Sequence, residues 1–268
     1  MNKCKNRSRE NKAFKPLTYG WVTTVLLLCF LLLPGAEGKA QLPNIVYILA
    51  DDLGYGDIAV YNPDGKISTP NIDRLARNGM RFTDAHTPSA VCTPSRYAIL
   101  TGRYPWRSRL PTGVLRGYSR TLIEEDRPTV ATLLKTGNYR TAVVGKWHLG
   151  LDWVPKAAYR DSIDPAYNKD NMYGIRSEMN PDQIDFSRPP VHGPRTQGFD
   201  YSFILPASLD MPPYVYLEND ALTEMPTGYT PGNKLASGYT GPFWRAGLMA
   251  ASFDFHQVLP VFTKDRKS

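Results

Sequence analysis

The sequence predicts an α/β fold organised around a largely parallel sheet. Three apolar runs, at 44–50, 139–145 and 199–205, predict strands that are buried on both faces. Helical patterns separate the first two runs, and such alternation is typical of parallel strands joined by right-handed crossovers. Because ligands of such sheets gather beyond the carboxyl ends of the strands, we expect the functional residues at that edge.

The elements of the first half follow from local signals. Thr69 is a favourable N-cap, Pro70 suits the first position of a helix, and Gly79 stands where that helix would end. In chain order we predict a strand at 44–50, a helix at 70–78, a brief strand at 81–86, a helix at 95–102 whose N-terminus lies just after Cys92, a helix at 128–135 and a strand at 139–145.

Regular patterns are rarer in the second half. Residues 151–197 are polar and contain prolines, which predicts an inserted loop. A strand is predicted at 199–205, then a second irregular segment at 211–244, then a helix at 253–262. Long ordered loops beside a sheet usually carry function, so both irregular segments are candidates for substrate contact.

Composition and charge limit the class of protein. The 268 residues are 42% hydrophobic and 21% charged, which is typical of a globular chain and excludes disordered, collagen-like and disulfide-scaffold proteins. Without residues 1–38 the formal charge falls from +7 to about +3. No basic stripe remains in 39–268, so we expect no nucleic-acid partner. An α/β chain of this length often forms one domain, and we expect a single domain there.

The first 38 residues have the pattern of a signal peptide. Basic residues precede a 12-residue apolar run at 22–33, and small residues at 36–38 offer a cleavage site. The run is short for a helix that spans a bilayer. Such a signal would direct the chain to the periplasm or the medium, and its cleavage would leave no stable membrane association. An uncleaved anchor is the alternative, since Tyr19–Trp21 lengthen the apolar stretch.

Cysteine usage singles out one residue. Of the three cysteines, Cys4 and Cys29 lie in the predicted signal peptide, so the exported chain keeps Cys92 alone and has no internal disulfide. An unpaired thiol is open to oxidation outside the cytoplasm, so its presence asks for a reason. One interpretation is a small buried hydrophobic residue. The other is a reactive group.

Three polar clusters are expected at one edge of the sheet: Asp51–Asp52, Cys92–Arg96 and Gly145–Gly150. The paired carboxylates suit Ca²⁺ or Mg²⁺, whereas Arg96, Lys146 and a helix N-terminus favour an anion. Each cluster alone has a structural interpretation, as a turn cap or a solvated rim. Together, a metal and cations around one nucleophile predict transfer of a tetrahedral oxyanion.

The motifs resemble those of a known family. Ala90–Arg96 with Leu100–Arg103 resembles the sulfatase signature in which the cysteine is oxidised after translation, and Gly137–Gly150 resembles the second sulfatase signature. Residues 44–52 resemble the metal-binding first strand of that family, and the likeness extends over 42–210. It implies an alkaline-phosphatase-like, doubly wound, mostly parallel sheet. It also implies an arylsulfatase-like sulfuric ester hydrolase that acts on a sulfated carbohydrate or an aryl sulfate.

The resemblance implies a nucleophile and a metal. A formylglycine-generating maturation enzyme would convert Cys92 to Cα-formylglycine, also called 3-oxoalanine. Asp51, Asp52 and the modified Cys92 would bind Ca²⁺. A hydroxyl of the hydrated aldehyde would then attack sulfur, and return to the aldehyde would release sulfate.

Other family positions surround that nucleophile. Arg96, one helical turn beyond the cysteine, would reach back to the modified side chain. Lys146 would neutralise sulfate oxygens, and His148 would hold the hydrate hydroxyl and take its proton. Ser208 matches a position near the sulfate pocket. Asp210 faces the same edge and would contact either the organic part of the substrate or loop backbone.

The family pattern continues past the last residue of this sequence. No segment here matches the later calcium ligands, the second sulfate-binding lysine or the histidine that would protonate the leaving group. We therefore expect a catalytic domain truncated before its second half, with fewer than the six to eight or so oxygens that Ca²⁺ takes. A non-catalytic remnant is one alternative function. A related phosphoester hydrolase is another, although cysteine at position 92 argues against it.

Overall fold

The computed structural model describes residues 42–165, 167, 169, 175–233 and 243–265. The chain divides into two compact units, residues 1–50 and residues 51–268. The predicted signal peptide at 1–38 lies outside the described residues. Within the described ranges, no helix is long and apolar enough to cross a membrane.

In the first unit, residues 42–50 form neither a helix nor a strand, so the strand predicted at 44–50 is wrong for this structure. Its apolar side chains are exposed, with 79% of Val46 and 71% of Ile48 accessible to solvent. A strand of this composition needs neighbouring strands to bond its backbone and other side chains to cover its two faces. The segment pairs with no strand in the described part of the chain, and β propensity alone leaves it irregular.

A four-stranded sheet organises the second unit. Its strands, in spatial order, are β1 (Ala142–Lys146), β2 (Tyr201–Leu205), β3 (Leu217–Glu218) and β4 (Ala221–Leu222). β1 and β2 are parallel, with Lys146 opposite Leu205, and the other two pairings are antiparallel. The strands predicted at 139–145 and 199–205 are confirmed, although each starts two or three residues later. The α/β class is confirmed too, with a sheet that is partly parallel over the described residues.

The segment predicted to be irregular at 211–244 contains short strands. β3 and β4 lie within it, as does β5 (Gly228–Thr230), which pairs antiparallel with β6 (Gly247–Met249). Asn219 and Asp220 connect β3 to β4 with φ angles of 50° and 69°, a conformation that favours these two residue types in tight hairpins. Strands of two or three residues are too short to show a periodic pattern, so their sequences do not predict them.

Four helices lie wholly within the described residues: α1 (Pro70–Asn78), α2 (Cys92–Thr101), α3 (Val130–Thr136) and α4 (Val258–Asp265). Short 3-10 turns occupy Tyr55–Asp57, Pro105–Arg107, Ala157–Ser162 and Pro181–Gln183. The first three helices confirm predictions to within about three residues. α2 begins at Cys92 itself and ends at Gly102, which has a left-handed φ of 63°. The side chain of Thr129 caps α3 by accepting a hydrogen bond from the Thr132 backbone nitrogen.

Two other predictions need correction. The brief strand predicted at 81–86 is absent, and those residues are exposed and irregular. The helix predicted from residue 253 starts only at Val258. The carboxylate of Asp254 accepts a hydrogen bond from the backbone nitrogen of His256 at 2.8 Å, and this local turn competes with the helix.

The predicted inserted loop at 151–197 is mostly irregular where the structure describes it, but it is packed into the core. Leu151 and Ile184 are fully buried, and the indole of Trp153 donates to the carbonyl of Gly117 at 2.9 Å. Trp147, directly after β1, belongs to the same hydrophobic core. The chain that follows β1 is therefore held firmly in place.

Candidate active site

Cys92 lies at the first position of α2, where backbone N–H groups of the first turn favour negative charge. The side chain is half-buried and its thiol is free. The next residue anchors this end of the helix. The buried hydroxyl of Thr93 donates to the carbonyl of His148 at 2.9 Å and accepts from the backbone nitrogen of Leu115 at 3.1 Å.

Lys146 is the central cation of the site. As the last residue of β1, it projects from the carboxyl end of that strand. Its Nζ lies 3.1 Å from Sγ of Cys92 and 2.7 Å from Oδ2 of Asp51. Only 13% of its side chain is exposed, against 44% of the Asp51 side chain, so the contact with Cys92 is the better shielded from bulk water.

Arg96 adds a second positive charge one helical turn beyond Cys92. Its Nη1 donates to the backbone carbonyl of Lys146, and its Nη2 lies 3.9 Å from Oδ2 of Asp51. The side chain is 14% exposed, and burial lowers its pKa, although an arginine stays protonated at neutral pH. Its Nε is buried and has no hydrogen-bond partner among the described residues, which leaves a donor for a bound anion.

Asp51 is the counter-charge of these two cations. Burial raises the pKa of its carboxyl, but the hydrogen bond and charge of Lys146 and the charge of Arg96 outweigh burial and hold the pKa below its ordinary value. Asp51 is therefore ionised at neutral pH. Two cations against one carboxylate give the site a net positive charge.

His148 is a neutral proton acceptor. Its Nε2 lies 2.8 Å from the carbonyl oxygen of Leu115, and because a carbonyl only accepts, Nε2 carries the hydrogen and Nδ1 the lone pair. Burial, together with the charges of Lys146 and Arg96, lowers its pKa to about 4. Nδ1 is buried and bonds to nothing in the part of the chain that the structure describes.

The backbone after β1 turns sharply to place His148. His148 has a φ of 57°, a left-handed conformation that is unfavourable for a non-glycine residue. Gly150 has a φ of 78°, and a Cβ there would lie 1.9 Å from the carbonyl oxygen of Arg120. These residues form a bend at the carboxyl edge of the sheet, where the sequence predicted a site.

Three predicted residues lie outside this contact group. Asp52 is exposed and forms no hydrogen bond or ion pair with any residue that the structure describes. Ser208 is half-exposed, and its carbonyl accepts from Met211 while its hydroxyl has no bond within the described ranges. Asp210 pairs with Arg245.

The described residues do not fit a calcium ion by themselves. Among them, no group of three or more histidine, cysteine, aspartate or glutamate side chains is arranged to hold a metal. Ca²⁺ takes about six to eight oxygens, whereas Asp51 already shares its Oδ2 with Lys146 and Asp52 stands apart.

The sequence did not predict the roles of Thr93 and Leu115. Thr93 lies inside the first motif, and a small polar side chain at the start of a helix is a signal for hydrogen bonding to nearby backbone. Leu115 contributes only its backbone, for which a sequence carries no signal.

Comparison with known proteins relates this site to one family. The family profile described as Sulfatase matches residues 43–215. N-acetylgalactosamine-6-O-sulfatase of Bacteroides thetaiotaomicron is 42% identical over 181 residues, covering 68% of this chain and 30% of that protein. Arylsulfatase A of Bos taurus is 46% identical over 155 residues, covering 58% of this chain and 28% of that protein. Human steryl-sulfatase is 47% identical over 138 residues, covering 50% of this chain and 24% of that protein.

A solved structure shares the fold. It comes from work on the metabolism of multiple glycosaminoglycans by Bacteroides thetaiotaomicron, and it matches with a TM-score of 0.63 and 33% identity over 85% of this chain and 48% of that one. The chain spans 30% or less of the length of the curated relatives named here. The matched region contains Asp51, Cys92, Lys146 and His148. The chain therefore belongs to the sulfatase family, with the predicted alkaline-phosphatase-like α/β fold over the part that it spans.

Proposed function

We propose that this chain carries the nucleophile and the anion-binding part of a sulfuric ester hydrolase. One observation carries the proposal: Nζ of Lys146 contacts both Sγ of Cys92 at 3.1 Å and Oδ2 of Asp51 at 2.7 Å. With Arg96, the cations outnumber the carboxylate beside a nucleophile. A sulfate ester is a monoanion whose oxygens accept hydrogen bonds from ammonium and guanidinium groups, so it matches this surplus charge.

In this proposal Cys92 works in its oxidised form, Cα-formylglycine, made by a maturation enzyme. When present, that group supplies a hydrated aldehyde whose hydroxyl is a nucleophile towards sulfur. The position of Cys92 suits this modified side chain, because the residue is only half-buried and its Sγ lies 3.1 Å from Nζ of Lys146. The same ammonium would orient a hydroxyl held there, and the N-terminus of α2 would favour its developing negative charge.

His148 would accept the proton of that hydroxyl. Its Nδ1 carries the lone pair because Nε2–H is committed to the carbonyl of Leu115. Thr93, next to Cys92, fixes the backbone of His148, so the ring belongs to the same rigid arrangement. Its pKa of about 4 keeps the ring unprotonated at rest, and negative charge that develops beside the ring raises its proton affinity.

Ca²⁺ is the cofactor suggested by family membership, and Asp51 and Asp52 are the candidate ligands. The described residues do not fit the ion alone, because Asp51 is paired with Lys146 and Asp52 stands apart. Calorimetric titration of the chain with CaCl₂ tests the assignment. Binding that disappears in Asp51→Asn and in Asp52→Asn supports it, and binding that survives both substitutions contradicts it.

The substrate class follows from the relatives. The N-acetylgalactosamine-6-O-sulfatase and the structure from glycosaminoglycan metabolism favour a sulfated carbohydrate. Arylsulfatase A and steryl-sulfatase favour a smaller aromatic or sterol ester. We place the carbohydrate first because the carbohydrate relative matches the larger share of the chain.

We also propose that the chain is exported. Residues 1–38 would direct the chain out of the cytoplasm and be removed, leaving no stable membrane association. Mass spectrometry of the chain from its own host tests this. A mature N-terminus near residue 39 supports export by a cleaved signal, and an intact N-terminus in the membrane fraction supports the alternative anchor.

Matched sulfate and phosphate esters test the reaction. The chain is co-expressed with a formylglycine-generating enzyme, and conversion of Cys92 is verified by peptide mass spectrometry. We expect sulfate release from N-acetylgalactosamine 6-sulfate that is abolished in Cys92→Ala and falls at least about 100-fold in Lys146→Met. Arg140→Gln, which changes an exposed arginine just before the opposite end of β1, is the matched control.

Three results would change the conclusion. Hydrolysis of the phosphate ester alone would replace a sulfatase by a phosphoester hydrolase. Binding of the sulfated sugar without turnover, with Cys92 fully converted, would favour the non-catalytic interpretation. Equal loss in Arg140→Gln and Lys146→Met would show that the site charge is not specific.

A further inference from the structure

A surface cavity of about 550 Å³ is lined by the two neighbours in sequence of Leu115, the residue that holds His148 of the candidate active site. Val114 and Arg116 line it, and they flank Leu115, whose carbonyl accepts the hydrogen bond from Nε2 of His148. Residues 114–116 thus line the cavity with the side chains of Val114 and Arg116, and they hold the proton acceptor His148 with the carbonyl of Leu115. Pockets that bind small molecules in proteins have volumes of about 300–1,000 Å³.

The cavity is lined by three arginines and one carboxylate. Nη1 of Arg116 lies 3.3 Å from Oε2 of Glu178, the lining carboxylate. Arg245 pairs with Asp210, which directly precedes the lining residues Met211 and Pro212. Arg176 forms no hydrogen bond or ion pair with any residue that the structure describes. The wall therefore carries one positive charge that the described residues do not neutralise.

The wall is rigid. Nη1 of Arg245 donates to the carbonyl of Asp210 at 2.9 Å, and its guanidinium lies 5.2 Å from the ring centre of Phe243. The hydroxyl of Tyr214 fixes the backbone of Arg245 with a 2.8 Å hydrogen bond. A Cβ on Gly117 would lie 1.9 Å from the carbonyl oxygen of Pro212, so the two sides of the cavity are in close contact there. Arg245, held in this way, loses little conformational freedom when it binds an anion.

Tyr118 adds a donor to the same wall. The residue is 5% exposed, and its hydroxyl has no hydrogen-bond partner within the described ranges. Burial of a hydroxyl without a partner is unfavourable. An acidic group in the cavity would offer the acceptor that the protein itself does not provide.

We propose that this arginine-lined cavity binds a second acidic group of the substrate, a carboxylate or a second sulfate, carried by the sugar next to the one that is desulfated. The inference rests on the proposed function, because the first sulfate is the one held by Lys146 and Arg96. It narrows the substrate class to acidic oligosaccharides. A neutral aryl or sterol group would make no charge-assisted contact with Arg176, whose side chain is exposed at the cavity.

Calorimetric binding to the full chain tests the proposal. The ligands are the monosaccharide N-acetylgalactosamine 6-sulfate and three disaccharides that contain it. In the disaccharides the second sugar is a neutral hexose, a hexuronic acid or a sulfated hexose. We expect the acidic disaccharides to bind about tenfold more tightly than the neutral one, as one charge-assisted contact provides. Arg176→Gln should remove most of that ratio, while Arg140→Gln should leave it unchanged. Circular dichroism confirms that each variant is folded.

The outcomes separate this inference from the proposed function. Equal affinity for the acidic and neutral disaccharides overturns the inference, as does an unchanged ratio in Arg176→Gln. A gain for the uronic acid alone or the second sulfate alone identifies which acid the cavity takes. Failure of the monosaccharide sulfate to bind, or binding that is unaffected in Lys146→Met, overturns the proposed function. An acidic preference that depends on Arg176 in that case still supports an anion site in the cavity.

Discussion

The hydroxyl of Thr93 donates to the backbone carbonyl of His148 over 2.9 Å, across a sequence separation of 55 residues. The same hydroxyl accepts from the backbone nitrogen of Leu115 at 3.1 Å. Both bonds are buried. One small side chain therefore joins the first turn of α2 to the turn after β1 and sets the position of Cys92 relative to His148.

Removing that hydroxyl should destabilise the fold. Thr93→Val keeps the shape of the side chain but leaves a buried carbonyl and a buried N–H without partners, which costs about 1–3 kcal/mol. Urea denaturation measures the loss. Thr93→Ser retains the hydroxyl and is the control, with a smaller loss expected. Equal stability of Thr93→Val and the parent chain would show that the two bonds are exchanged for water at no cost.

Two glycines form a matched pair for the turn after β1. Gly150 and Gly102 both have left-handed φ angles, 78° and 63°, but a Cβ on Gly150 would lie 1.9 Å from backbone, whereas a Cβ on Gly102 would meet nothing within 4 Å. Gly102→Ala should cost about 1–2 kcal/mol from the left-handed conformation alone. Gly150→Ala should cost more than about 4 kcal/mol or prevent folding. Thermal and urea unfolding compare them, and similar losses in both would contradict the close approach.

His148 should make stability depend on pH. Its pKa falls from an ordinary 6.5 to about 4 in the folded protein, so between these pH values the unfolded chain binds more protons. The stability from a neutral His148 is present above pH 6.5 and is lost as pH falls towards 4. The loss amounts to about 3 kcal/mol, at about 1.4 kcal/mol per pKa unit.

Denaturation midpoints measured between pH 7 and pH 4 check this slope, and His148→Gln should flatten it. NMR titration of the imidazole gives a second readout that does not require the variant to fold. An imidazole that titrates near its ordinary pKa would contradict the buried, neutral ring.

Lys146 should control the ionisation of Asp51. Its ammonium opposes the effect of burial on that carboxyl, so Lys146→Met should raise the pKa of Asp51. Carbon-detected NMR of the carboxyl group follows the titration. Lys156→Met is the control, since Lys156 is an exposed lysine that bonds a backbone carbonyl instead. An unchanged pKa of Asp51 in Lys146→Met would show that the lysine is not its main partner.

Local spacing predicted much of the arrangement of the contact group. The four-residue spacing from Cys92 to Arg96 corresponds to one helical turn, and the apolar run before Lys146 places that lysine at a strand end. The structure brings these three side chains together with Asp51. Each of these signals lies within one element, where chain geometry and side-chain periodicity act directly.

The remaining features depend on contacts between distant segments. The tautomer of His148 is set by the backbone of Leu115, and Arg176 reaches the cavity beside Arg116 only through the fold. The apolar run at 44–50 has the composition of a strand, yet no strand forms there, because pairing rather than propensity decides.

The contacts of the site are all distant in sequence, which has a consequence for the order of folding. Asp51 and Lys146 are 95 residues apart, and Cys92 and Lys146 are 54 apart. Contacts with such separations form only after long stretches of chain have closed, so they appear late. A peptide that spans the cysteine motif alone should therefore show none of the anion affinity of the intact chain. During refolding, sulfate binding should be regained only with the last kinetic phase.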